Sequence, residues 1–234
     1  MATRAKLDIV VRYMTIIPAA HVRAWDLPLQ RRLYALFHTT NVSRILHSIC
    51  TPIIVWFMLV ALSYVPLPFV GEVGAAPRLS LLAVATFAAY AFAHDVLAGA
   101  LLLPVQAGLW ITASAFAARS GPEGLTIAIA GMLIASAVQT FSHFWEPVPP
   151  PLSGDEHFLP FVTFWRTASP MRKLLALFLG STVYVLLELI AAPRVFPCQA
   201  LRMLQWLGYA VGSREETERA ARRMMERWHE QWSE

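Results

Sequence analysis

Four of the seven histidines in this chain, His38, His47, His94 and His143, fall at the ends of long apolar runs. An ionisable group there is costly and by default faces a bundle interior or a functional site. Neutral imidazoles ligate iron, zinc and copper, so the chemistry that these residue types offer is a metal centre. His38 and His47 are nine residues apart. Nine residues make two and a half turns, which in one straight helix would point the rings in opposite directions. Thr39, Thr40 and Asn41 between them are N-cap residues and predict a helix break. His38 then ends one helix, His47 sits in the second turn of the next, and both can face one point. Gln139, His143 and Glu146, spaced four and three apart, share one helix face. A carboxamide and a carboxylate beside an imidazole can orient it as a ligand. Plainer roles compete: interfacial hydrogen bonding for a histidine at a span end, helix–helix glue for Gln139, a helix cap for Glu146. His21, His157 and His229 lie in polar segments and read as solvated surface.

The elements that must position these residues are apolar helices. The chain has 234 residues, 57% of them hydrophobic and 15% charged, against roughly half and a quarter in ordinary soluble domains. Several runs approach the ~20 residues that cross a bilayer. The spans are expected at Ile45–Val65, Leu79–His94 with a tight turn at Asp95, Leu97–Ala118 and Leu125–Trp145. A proline-rich loop follows. A fifth run covers Leu174–Ile190, and Phe196–Val211, with Arg202 inside it, reads as an interfacial or re-entrant segment. Leu7, Val10, Val11, Met14 and Ile17 recur at helical spacing and predict an amphipathic helix; a second short helix is expected over Leu27–His38. The C-terminal stretch carries a candidate capping box, Ser213 with Glu216. Its apolar stripe of Ala221, Met224, Met225, Trp228 and Trp232 can pack on the domain or on a second copy of the chain. The expected fold is all-α: a polytopic membrane helix bundle with four to six membrane-embedded helices and amphipathic terminal helices. It divides into interfacial helices at 1–40, the bundle with its metal site at 41–212, and a soluble helix at 213–234.

Charge sets the orientation. The formal net charge of +4 is modest and the arginines sit in the flanks of the spans, which excludes a nucleic-acid stripe as partner. Arginines crowd the segment before the first span, so the N-terminus is expected on the cytoplasmic face, of a bacterial inner membrane or the endoplasmic reticulum. Four crossings then bring His38, His47, His94 and His143 to that same face. Cys50 and Cys198 are too few for a disulfide framework.

The spacing Tyr34-x3-His38-x8-His47-x4-Pro52, with Asn41 and Arg44 between, resembles the first motif of the family of small membrane proteins that includes the fungal 2-hydroxy-palmitic acid dioxygenase. Gln139-x3-His143-x2-Glu146-x3-Pro150, followed by Pro151 and Leu152, is similar to that family's second motif, and the likeness covers roughly residues 33–190. The resemblance implies an enzyme that uses Fe(II) and O2 to shorten long-chain 2-hydroxy fatty acids by one carbon. It carries His38, His47 and His143 over as metal ligands. Members often have a further histidine where this chain has Thr40, and His94 is the candidate to fill that vacancy. Ser142 stands where a glycine is usual, and Pro151 where a small alanine is. On this reading Glu146 and Gln139 orient ligands or relay a proton, and Arg44 pairs with a carboxylate or anchors the chain to the cytoplasmic face. Asn41 completes the set of candidate catalytic residues. A di-iron desaturase would need about eight histidines in repeated pairs, and a zinc hydrolase a motif such as His-Glu-x-x-His; the sequence has neither. Other oxidative lipid chemistry at the same site is the runner-up, and a non-enzymatic membrane scaffold the third reading.

Overall fold

In the computed structural model, residues 23–67, 78–142, 145 and 167–230 are described. The amphipathic N-terminal helix, His143, Glu146 and the proline-rich loop lie outside them, as do His21 and His157. Among the described residues the structure is all-helical, with one isolated bridge between Pro66 and Arg78.

Helix α1 spans Leu27–Phe37, one residue short of the expected Leu27–His38 because His38 is its C-cap. Asp26 caps it by accepting from the Leu29 amide at 3.1 Å, and Pro28 occupies the first turn, where no amide donor is needed. Helix α2 spans Asn41–Leu62. Its cap is Thr40, whose Oγ1 accepts from the Ser43 amide at 3.3 Å. The break between α1 and α2 is therefore residues 38–40, where the threonines predict it.

Helix α2 is the axis of the bundle. Ile54, Val55, Leu59 and Val60 are buried on it to within 1%. They pack against Ala113 and Ala117 of α4 (Val96–Ser120) and against Ala128, Met132 and Ala135 of α5 (Glu123–Ser142). Small residues on the partner helices let the backbones approach closely. Gly131 of α5 faces the Phe57 ring, which occupies the space that a Cβ would need. Helix α3 (Leu79–His94) and α4 form a hairpin on one residue: Asp95 ends α3 and caps α4, its Oδ1 accepting from the Ala98 amide at 2.9 Å.

Two helices, Asn41–Leu62 and Val96–Ser120, are long and apolar enough to cross a membrane; Leu79–His94 and Glu123–Gln139 are shorter apolar helices. The outward faces of α4 and α5 carry exposed Leu101, Ile111, Ile127 and Ile134.

Two expectations need correction. The fifth apolar run and the segment after it are one helix, α6, over Pro170–Trp206. Pro193 and Pro197 lie inside it. They are four apart, so both missing donors fall on one side and the other side's hydrogen bonds carry the helix through. The Ser213 capping box does not form, because α7 starts at Val211 and spans to Glu230. The reversal is made instead by Gly208 and Ala210, with φ of +94° and +46°. Helix α7 packs against α1.

Candidate metal centre

The break at residues 38–40 brings the first two histidines together. His38 is the C-cap of α1 and His47 lies in the second turn of α2. Both are buried. Their ring centroids are 4.2 Å apart, edge to face at 87°. His38 Nδ1 is 2.9 Å from the Tyr34 carbonyl oxygen, and His47 Nδ1 is 2.9 Å from the Ser43 carbonyl oxygen. A carbonyl oxygen only accepts, so in each ring Nδ1 carries the proton and donates. In the neutral imidazole the lone pair is then on Nε2. This is the usual support for a ligating histidine, which fixes tautomer and ring orientation together.

Around the pair, each contact does identifiable work. Tyr34 stacks on His38 at 4.2 Å and 21°, and burial pushes its phenol well above the ordinary tyrosine value. Arg44 Nε donates to the His38 carbonyl at 2.8 Å and ties the break closed. Behind His47 runs a buried polar chain through three helices. Ser142 Oγ lies 3.3 Å from His47 Nδ1 and donates to the Gln139 carbonyl at 2.6 Å. Thr51 Oγ1 donates to Gln139 Oε1 at 3.3 Å, and Gln199 Nε2 donates to Thr51 Oγ1 at 3.1 Å. Ser142, Gln139, Thr51 and Gln199 are all buried.

Of the residues that sequence singles out, the structure gathers His38, His47, Gln139 and Arg44 into one region. Gln139 acts as helix–helix glue and also adjoins the histidine support. Asn41 is exposed on the first turn of α2, and the capping falls to Thr40. His94 is buried at the end of α3, its ring 4.8 Å from Tyr90 and its carbonyl accepting from Arg31. Neither of its ring nitrogens has a hydrogen-bond partner. Among the described residues no three of the His, Cys, Asp and Glu side chains form a group that would hold a metal ion. The described residues thus offer two buried imidazoles side by side, a ligand type that suits iron, zinc or copper.

Thr51 and Gln199 are missing from the sequence reading. Their signal was available: a polar side chain inside an apolar run usually faces a bundle interior. Cys50 and Cys198 are buried free thiols. No family model, curated protein or solved structure matches this chain.

Proposed function

We propose that this chain is an Fe(II)-dependent membrane dioxygenase that acts on long-chain 2-hydroxy fatty acids and shortens them by one carbon. The observation that carries the reading is the buried His38–His47 pair, each ring held through Nδ1 by the carbonyl four residues before it. The spacing of two histidine motifs, similar to that of the dioxygenase family, selects iron and lipid oxidation among the metals that imidazoles accept. His38, His47 and His143 would hold the ion, with His94 as a fourth candidate. Fe(II) bound there would supply the activation of O2.

The chain's own residues position and protect. Ser43 and Tyr34 fix the two tautomers through their carbonyls, Arg44 fixes the backbone of His38, and the Gln199–Thr51–Gln139–Ser142 chain braces His47. Glu146 and Asn41 are the remaining candidates for handling a proton or a polar substrate group. Apolar helix faces would take the acyl chain and exclude water. The wider architecture proposed is four to six membrane-embedded helices. Arginine crowding before the first span supports a cytoplasmic N-terminus and site.

Anaerobic reconstitution followed by elemental analysis tests this reading, together with O2 uptake on 2-hydroxyhexadecanoate. The expected result is about one metal ion per chain, iron, at a mononuclear imidazole site, with uptake stoichiometric with the acid one carbon shorter. Zinc without O2 uptake would favour a hydrolase, and no metal a scaffold. Iron with uptake on other lipids only would favour the runner-up, different oxidative lipid chemistry at the same site.

A further inference from the structure

A second polar feature lies outside the histidine pair. Between α1, α6 and α7 there is a cleft, open to solvent, whose polar lining includes Arg31, Tyr34, Arg202, Gln205, Arg214 and Thr217. Three guanidiniums from three helices converge on it. Among the described residues the carboxylate in contact with them is Glu218. Its Oε1 takes both Arg202 Nη2 at 2.9 Å and Arg214 Nε at 3.1 Å. One negative charge therefore serves two arginines. Arg31 donates through Nη2 to the neutral His94 carbonyl, while its Nε is buried with no hydrogen-bond partner. Among the described residues, three guanidiniums thus line the cleft with one carboxylate in contact with them.

We propose that this cleft binds a phosphate monoester. A planar guanidinium fork can engage two oxygens of a phosphate at once, and the Tyr34 and Thr217 hydroxyls and the Gln205 carboxamide offer neutral donors. A phosphate monoester dianion offsets more of this positive excess than a singly charged carboxylate can. Arg44 adds to the field, since it stands near enough to repel Arg202. Just past Gln205 in the chain, Trp206, Leu207 and Tyr209 are exposed, and such residues are of the kind that sit at lipid headgroup level. The ester can therefore reach the cleft on a lipid or free in solution. Nothing in the proposal depends on a metal at the histidine pair.

The test uses the purified full chain, metal-free, with glycerol 3-phosphate in detergent as the soluble probe and phosphatidic acid in phosphatidylcholine nanodiscs as the lipid probe. Binding is expected to weaken by about tenfold in Arg214→Gln, the scale of losing one charge-assisted contact. Glu218→Gln is expected to tighten binding, because it frees both arginines. A purely structural ion-pair cluster would not give that opposite sign, and both side chains are partly exposed. Binding of the nanodisc probe without the soluble one assigns the site to a lipid phosphate; binding of both assigns it to phosphate monoesters in general. The proposal is overturned by no binding of either probe, by acetate binding as tightly as glycerol 3-phosphate, or by Glu218→Gln weakening binding as Arg214→Gln does.

Discussion

His38 and His47 are held differently from the polar residues around them, and that separates the expected effects of substitution. Each ring owes its tautomer to a backbone carbonyl, which no side-chain substitution removes. His38→Ala and His47→Ala should each abolish metal retention and activity, as read by elemental analysis of protein that still elutes as folded. Ser142→Ala removes an oxygen 3.3 Å from His47 Nδ1 but leaves the Ser43 carbonyl in place. Its cost in metal affinity should therefore fall below the ~10–100-fold typical of losing an outer-shell partner. His94 has its own test. If it is the fourth ligand, metal affinity lost in His94→Ala should be partly regained by adding Thr40→His; no regain would leave His94 as a buried ring packed on Tyr90.

Among the helices, α2 and α5 meet where Gly131 makes room for Phe57. Gly131→Ala should lower the thermal midpoint in detergent, at a cost of about 1–3 kcal/mol for overpacking. The α3–α4 hairpin depends on one cap, and Asp95→Ala should cost about 1 kcal/mol there, with Asp95→Asn retaining most of it. The docking of α7 is expected to depend on pH. Burial pushes the Glu218 carboxyl up, but the hydrogen bonds and charges of Arg214 and Arg202 outweigh it and hold the group below its ordinary value. A depressed carboxylate contributes stability above its unfolded pKa and loses it as pH falls through the folded value. Amide exchange in α7 should therefore quicken on acidification below the ordinary carboxylate range, and do so less in Glu218→Gln.

At the scale of the whole molecule, the proposal of an integral membrane protein rests on α2 and α4, long and apolar enough to cross, and on the apolar outward faces of α4 and α5. The chain should stay in the membrane fraction through an alkaline carbonate wash, and recovery in the soluble fraction would count against it. A cysteine placed in the α1–α2 break should be labelled from the cytoplasmic side if the arginine distribution sets the orientation.

The elements were legible because helix signals are local. Apolar runs, the threonines before α2 and Asp95 act within a few residues of themselves, and α1 to α5 start and stop close to where those residues place them. The C-terminal third was less legible. Pro193 and Pro197 look like a stop but lie in one continuous helix. The start of α7 depends on the left-handed backbone of Gly208 and Ala210, not on the Ser213 side chain.

By itself, then, the sequence determined an all-helical chain, and it placed a break that lets His38 and His47 face one another. Tertiary structure alone decided what surrounds them. Thr51, Gln139, Ser142 and Gln199 come from three helices and form a chain of hydrogen bonds only once α2, α5 and α6 pack. Arg31, Arg202 and Arg214 are far apart in sequence and share a cleft only because α1, α6 and α7 meet. The physical reason is range: capping and periodicity operate over one or two turns, whereas a buried polar network is made of partners whose separation along the chain carries no information about their distance in space.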